Sequence, residues 1–317
     1  MSEGEFEIID KYFANIGWRS DEVQLGPGDD CALLKVSQGN QLCVSTDTLL
    51  SGVHLPVGVA GDIAAHRALA ANLSDLSAMG ARPLGFLIAL TLPEADSQWL
   101  ELFSQTISRL SHQYRIPLVG GNLSRGPLSV TMTIMGTVPE GSALTRSGAR
   151  VGDAVYTTGY TGDAAAGLRI VTQGREGHEQ LARAYCHPMP AIETGQSLRG
   201  IASACIDISD GLLPDLDHIL QASGVGAIIE LDRLSISSAL RAFANTGDLL
   251  EFVLAGGDDY QLCFCAPPDR QTSILDLSRR TGTLVTRIGN IVTDRGLWLL
   301  HPDGHKTLAE SRGYRHF

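Results

Sequence analysis

The chain has 317 residues, 44% of them hydrophobic and 19% charged, with a formal net charge of −11; this is long for one core, comfortable for two domains, and too apolar for a disordered protein. The acidic balance argues against nucleic acid and anionic membrane as partners, and no apolar run reaches the length of a bilayer span. The acidic start Met1-Ser2-Glu3-Gly4-Glu5-Phe6-Glu7 lacks the basic and apolar segments of an export signal, so a soluble cytoplasmic protein is expected.

Residues 5–15 read as a short helix with Phe6, Ile9 and Phe13 on one side, followed by a turn at Gly26-Pro27-Gly28-Asp29-Asp30. Residues 41–46 read as a strand ending in polar residues. Residues 62–79 form a helix, with Asp62 as a cap and Gly80 as its end. A nearly all-apolar strand spans 85–92, a second helix 97–114, and a short strand Leu118-Val119 runs into a Gly120-Gly121 turn. Residues 129–136 alternate Val130, Met132 and Ile134 against Thr131, Thr133 and Met135, the pattern of an antiparallel strand. The Gly-, Ser- and Arg-rich stretch 139–152 is the expected boundary between an N-terminal domain (1–140) and a C-terminal domain (150–317). Beyond it, strands at 154–158, 227–231, 260–265 and 284–292 mix with helices from Gly162, at 212–222 and near 269–280, an α/β pattern in both halves. The six cysteines show no C-x-x-C pair, and Cys263 and Cys265, on one side of a strand, read as small buried hydrophobes in a reducing compartment.

Aspartates recur beside glycine turns and strand ends: Gly28-Asp29-Asp30, Ser45-Thr46-Asp47-Thr48, Asp207-Ile208-Ser209-Asp210-Gly211 and Gly256-Gly257-Asp258-Asp259. Asp75 joins Ala64, Ala68 and Ala71 on one helix face, where small side chains let a neighbour approach and a partly buried carboxylate needs a cation or strong donors. Hard oxygen ligands from several such places suit Mg²⁺, which keeps waters and substrate phosphates in its octahedron. Each Gly-Asp-Asp alone is equally the signature of a plain turn. Neither a G-x-x-x-x-G-K-[ST] loop nor a kinase-type G-x-G-x-x-G is present. The remaining phosphate-facing candidates are the bare amides of Gly120-Gly121 and the guanidinium of Arg146. His54, shortly after Asp47, is an isolated histidine of the kind that is usually structural.

In this order, Gly28-Asp29-Asp30-Cys31-Ala32-Leu33-Leu34, Ser45-Thr46-Asp47-Thr48-Leu49, Asn72-Leu73-Ser74-Asp75-Leu76-Ser77-Ala78-Met79-Gly80, Leu144-Thr145-Arg146-Ser147-Gly148, Ile208-Ser209-Asp210-Gly211-Leu212, Gly256-Gly257-Asp258-Asp259-Tyr260 and the ending Gly313-Tyr314-Arg315-His316-Phe317 resemble the thiamine-monophosphate kinase family. That family belongs to the aminoimidazole ribonucleotide synthetase-like superfamily. The resemblance implies a two-domain α/β (α+β) fold whose N-terminal sheets pair into a barrel across a homodimer. It implies ATP as co-substrate, thiamine monophosphate as acceptor, several Mg²⁺ ions, and direct in-line transfer without a phosphoenzyme. It assigns Asp30, Ser45, Thr46, Asp47, Asp75, Asn122, Asp207 and Asp210 to metal, with Asp30, Asp47, Asp75 and Asp210 carrying catalysis. Gly120, Gly121, Arg146 and Ser209 go to nucleotide, and His54 and Asp258 to substrate.

Two positions depart from the family pattern. Asn122 stands where the family usually has a metal-binding Asp, keeping an oxygen and losing the charge; Asp258 stands where it usually has Glu, a shorter reach. The alternatives are a non-catalytic paralogue that binds nucleotide or thiamine phosphate, favoured by Asn122, and another ATP-using enzyme of the superfamily. Of the latter, a selenophosphate synthetase is expected to carry a reactive N-terminal Cys and a hydrogenase-maturation dehydratase a C-terminal one.

Overall fold

The computed structural model describes residues 4–309; the matching segment Gly313–Phe317 and the acidic Met1–Glu3 lie outside the described residues. The chain divides into two compact units. One comprises the chain up to Leu76 with Arg82–Glu140, the other Ser77–Ala81 with the chain from Gly141 onward.

The first unit contains α1 (Glu5–Tyr12), β1 (Val23–Leu25), β2 (Leu33–Leu34), β3 (Asn40–Leu50), α2 (Gly61–Ala78), β4 (Arg82–Leu92), α3 (Ser97–Tyr114), β5 (Leu118–Arg125) and β6 (Ser129–Pro139). Four of these strands make a sheet in the order β3-β6-β4-β5, with β6 antiparallel to both neighbours and β5 parallel to β4. The period-two alternation sorts the side chains. Val130, Met132 and Ile134 pair in register with Leu90, Ile88 and Phe86, and all six are buried. α2 covers this face: Ala64, Ala68, Leu69, Leu73 and Leu76 are buried, and Leu76 lies against Gly136. Helix α3 buries Leu100, Phe103, Ile107 and Leu110, and the Asp96 carboxylate caps it by accepting from the amides of Gln98 and Trp99.

Three expectations change. Asp62 lies inside α2, which begins at Gly61, and so is not its cap. β3 continues beyond Thr46 to Leu50, because each of its residues from Asn40 pairs with β6. β5 runs through Gly120-Gly121 to Arg125 instead of turning there. At Gly121 a Cβ would collide with the carbonyl oxygen of Ile88, so the missing side chain is what lets β5 lie against β4.

The second unit holds a seven-stranded mixed sheet. Its strands are β7 (Ala154–Thr158), β8 (Ala204–Ile208), β9 (Gly226–Glu230), β10 (Gln261–Ala266), β11 (Val285–Val292), β12 (Gly296–Leu300) and β13 (Lys306–Leu308), in the order β13-β12-β9-β11-β7-β10-β8. Its helices are α4 (Asp163–Gln173), α5 (Glu179–Cys186), α6 (Ile192–Ser197), α7 (Leu212–Ser223), α8 (Ser238–Phe243), α9 (Thr246–Ala255) and α10 (Gln271–Thr281). Alternation along β10 separates two cores. Cys263 and Cys265 pack with Leu212, Leu216 and Val253, whereas Leu262 and Phe264 pack with Tyr156, Leu198 and Ile274. The two cysteines are small core residues with thiol pKa values raised by burial.

Candidate active site

Within the first unit the sequence-predicted residues fall on two faces of one sheet. Ser45 and Asp47 project from β3 toward α2, where the Ser45 hydroxyl donates to Asp75 Oδ2 at 2.5 Å. Asp47 and Asp75 are half-buried. The pKa of Asp47 rises to about 7, first because burial penalises its charge, then because the Asp75 carboxylate repels it and hydrogen-bonds its protonated form. Two carboxylates and a hydroxyl pressed together in partial burial form an oxygen donor set that a hard divalent cation would stabilise.

Thr46 does not share that place. One residue along a strand reverses the side chain, and its hydroxyl donates to the Met132 carbonyl at 2.9 Å and meets Thr133 Oγ1 at 3.1 Å on the opposite face. Only its main chain remains available to the Ser45–Asp47 group. The opposite face also carries Gly120 and Asn122, in register with Leu87 and Ala89 of β4. There a cavity of about 1030 Å³ is bounded by Phe6, Ile9 and Phe13 of the N-terminal segment, by Asp30 and by Gly120-Gly121-Asn122. The stripe expected on the first helix therefore faces this cavity. The Asn122 amide donates to Ser124 Oγ at 2.9 Å, which orients its side chain along β5. His54 lies in the loop after β3; its Nδ1 accepts from the Leu50 amide at 3.0 Å, so the ring proton of the neutral form rests on Nε2. Among the described residues no three His, Cys, Asp or Glu side chains are gathered as a metal centre; in the first unit the carboxylates meet as the Asp47–Asp75 pair.

In the second unit, three loops meet at one edge of the sheet. Asp207, the last residue but one of β8, is buried, and Ser209 and Asp210 just beyond the strand are half-buried. The segment Gly256–Tyr260 lies against them: the amides of Asp258 and Tyr260 donate to the carbonyls of Ser209 and Ile208, both at 2.8 Å. Asp258 and Tyr260 have positive φ, 69° and 50°, and the Tyr260 hydroxyl donates to Asp258 Oδ1 at 3.0 Å. A tyrosine in the left-handed region is costly and persists where surrounding contacts over-determine it, as at ligand sites. Arg146 is exposed in a loop whose Thr145 carbonyl accepts from the Cys205 amide.

Two buried aspartates outside the predicted set hold these loops. Asp215 Oδ2 accepts from the amides of Ser209, Asp210 and Gly211 at 2.9, 3.0 and 3.1 Å. Burial, and then the neighbouring Asp210, raise its pKa to about 7 against the pull of those amides. Asp259 accepts from the amides of Gly162 at 2.6 Å and Ala164 at 3.1 Å, tying the start of β10 to the first turn of α4. Beside it Asp163 accepts from the Ser237 hydroxyl at 2.7 Å. The available sequence signals were weak: an acid in the first helical turn after Asp-Gly, and the second member of an Asp-Asp pair.

Residues 28–138 match the family model of the AIR synthase related protein N-terminal domain, and 150–299 that of its C-terminal domain. The chain belongs to the AIR synthase related family. Within it, the chain is 43% identical to the thiamine-monophosphate kinase of Salmonella typhimurium, covering 100% of this chain and 99% of that one. It is 42% identical to the Escherichia coli K12 enzyme of the same name at the same coverage. The crystal structure of thiamine-monophosphate kinase from Stenotrophomonas maltophilia K279a superposes with a TM-score of 0.85 at 42% identity, covering 90% of this chain and 92% of that one. AaThiL complexed with AMPPCP and TMP gives 0.79 at 31% identity, covering 99% and 97%. The hydrogenase maturation protein HypE of E. coli shares the AIR synthase related fold, with a TM-score of 0.78 at 20% identity over 96% of each chain. Among the described residues no helix is long and apolar enough to cross a membrane.

Proposed function

We propose that the chain transfers the γ-phosphoryl group of ATP to the phosphate of thiamine monophosphate, giving thiamine diphosphate and ADP by direct in-line displacement in the cytoplasm. The observation that carries this reading is the full-length identity to thiamine-monophosphate kinases. The acceptor is already an anion, so the chemistry needs alignment and charge neutralisation more than a strong base. The donor set at Ser45, Asp47 and Asp75 fits Mg²⁺. With Asp30, the Thr46 main chain, Asn122, Asp207 and Asp210 it makes up the proposed metal-binding residues. When bound, Mg²⁺ supplies neutralisation of the phosphate charges. Gly120, Gly121, Arg146 and Ser209 are assigned to the nucleotide, and His54 and Asp258 to thiamine monophosphate.

A homodimer is part of the proposal. β3 is an edge strand of eleven residues, and its outer face exposes Leu42, Val44 and Leu50 beside Thr46 and Thr48. Such an edge is covered in soluble proteins, and a second copy of the sheet is the proposed cover. The test is incubation of purified protein with ATP, Mg²⁺ and thiamine monophosphate, with chromatography for thiamine diphosphate and light scattering for mass. Absence of the diphosphate refutes the activity, and a monomer at micromolar concentration refutes the pairing.

A further inference from the structure

Asp215 is almost fully buried, at 2% exposure, and meets the neighbouring loop through main-chain amides. A carboxylate is placed in such a position only against strong compensation. The compensation is concentrated: one oxygen, Oδ2, receives three consecutive amides, those of Ser209, Asp210 and Gly211. Three N–H groups that converge on one point fix the path of the main chain between them, and with it the direction in which the Ser209 and Asp210 side chains leave. Gly211, with φ 128° and Ala255 packed where a Cβ would sit, is the residue that lets the chain close around that oxygen. The same fixation carries to the next loop, because the Ser209 carbonyl accepts from the Asp258 amide and a Cβ on Gly257 would overlap that carbonyl. Ser209, Asp210 and Asp258 are thus held as one assembly whose hub is the Asp215 carboxylate.

We infer that Asp215 is a positioning residue, whose carboxylate organises the Ser209–Gly211 and Asp258 loops for binding Mg²⁺ and ATP. The inference rests on the assignment of Asp210 and Ser209 made above. It also assigns the amides of this loop to Asp215, leaving the Ser209 hydroxyl and the Asp210 carboxylate as the loop's contributions to the ligand.

The test uses the full-length protein carrying Asp215→Ala, Asp215→Asn or Asp210→Asn. Readouts are ATP binding by calorimetry over a Mg²⁺ titration, amide hydrogen exchange, and thermal unfolding. Removal of a group that orients metal ligands typically weakens metal affinity about 10- to 100-fold. Asp215→Ala is therefore expected to raise the Mg²⁺ concentration for half-maximal ATP binding about tenfold or more, well below its melting temperature, and to speed exchange at Ser209, Asp210 and Gly211. Asp215→Asn, which keeps one neutral acceptor oxygen, is expected to fall between Ala and the parent. It supplies the measurement if the Ala variant does not fold. If Asp210→Asn shifts the Mg²⁺ dependence while both Asp215 variants stay within twofold of the parent, the positioning role is refuted and the assignment of Asp210 survives. If Asp210→Asn shifts nothing, the assignment itself falls and takes the inference with it. A lower melting temperature with unchanged Mg²⁺ dependence marks Asp215 as structural only and also overturns the inference.

Discussion

Gly120 and Gly121 stand side by side on β5, and the structure gives them different reasons for lacking a side chain. At Gly121 a Cβ would overlap the Ile88 carbonyl oxygen and lie 3.0 Å from its carbon and 3.2 Å from the Ile88 nitrogen, all main-chain atoms. Restoring contact distances requires β5 to move by roughly 1 Å from β4, which takes ladder hydrogen bonds beyond the distance at which they hold. Losing one or two of them costs about 1–3 kcal/mol, and overpacking a further ~1–3 kcal/mol. The lower unfolded-state entropy of alanine offsets about 0.4–1 kcal/mol. Gly121→Ala is therefore expected to destabilise the protein by about 2–4 kcal/mol. At Gly120 the nearest atom to a Cβ is Leu87 Cδ2, at 3.1 Å, the end of a side chain that can rotate away. Gly120→Ala is expected to cost about 1 kcal/mol or less. Urea unfolding of both variants, paired with ATP calorimetry, separates fold from function. A Gly120→Ala protein that keeps its stability and loses ATP affinity places bare main chain against the nucleotide. Equal stability losses for the two variants, or a Gly121→Ala protein within about 0.5 kcal/mol of the parent, refute the reasoning.

Asp75→Asn keeps an oxygen for the Ser45 hydroxyl and removes the repulsion of Asp47, so metal-free stability is expected to change by less than about 1 kcal/mol. Turnover is expected to fall about 100-fold or more, and near-normal turnover would make Asp75 a structural residue. Asn122→Asp adds charge on the cavity face of β5 and is expected to lower the Mg²⁺ concentration for half-maximal rate and to raise kcat; no change in either removes Asn122 from the metal set. Burial holds the Asp259 pKa well above the ordinary carboxylate value, with Asp163 and Asp258 adding to the rise and the amides of Gly162 and Ala164 opposing it. Above pH ~4 the unfolded chain has released this proton and the native one has not, so stability falls with rising pH until Asp259 ionises, with a slope of up to about 1.4 kcal/mol per pH unit. Asp259→Asn should flatten that fall in urea midpoints followed upward from the ordinary carboxylate range, and an unchanged fall in the variant would show that Asp259 does not carry it.

Much of the fold was legible because burial repeats at the period of the backbone. The alternation of residues 129–136 marks β6, whose Val130, Met132 and Ile134 are fully buried, and the alanines and leucines of residues 62–79 mark α2. Where the reading stopped short, polar or glycine residues interrupted a strand for reasons lying in its partner. β3 keeps going through Ser45-Thr46-Asp47-Thr48 because its main chain pairs with β6 at every residue, while both of its faces are partly exposed and tolerate polar side chains. β5 keeps going through Gly120-Gly121 because of a carbonyl on β4 that sequence cannot place.

The site divides the same way. The chemistry of its aspartates was readable from their number and from their glycine neighbours, but their division of labour was not. A period of two already separates Ser45 and Asp47 from Thr46, and that was available from the sequence once the strand was known to run on. The roles of Asp215 and Asp259 were not available, because what distinguishes them is the set of amides that their side chains reach. The acidic surplus therefore serves two opposed needs. Half-exposed carboxylates such as Asp47 and Asp75 crowd together where a cation would relieve them, while fully buried ones are satisfied by main-chain N–H groups and hold loops in place. A carboxylate of the second kind is expected to answer Asn substitution first with faster local amide exchange, any shift in Mg²⁺ dependence following from the loop it loosens, whereas one of the first kind shifts the Mg²⁺ dependence with local exchange little altered. Comparing amide exchange with Mg²⁺ dependence in Asn variants at these positions distinguishes the two classes without knowledge of the ligand.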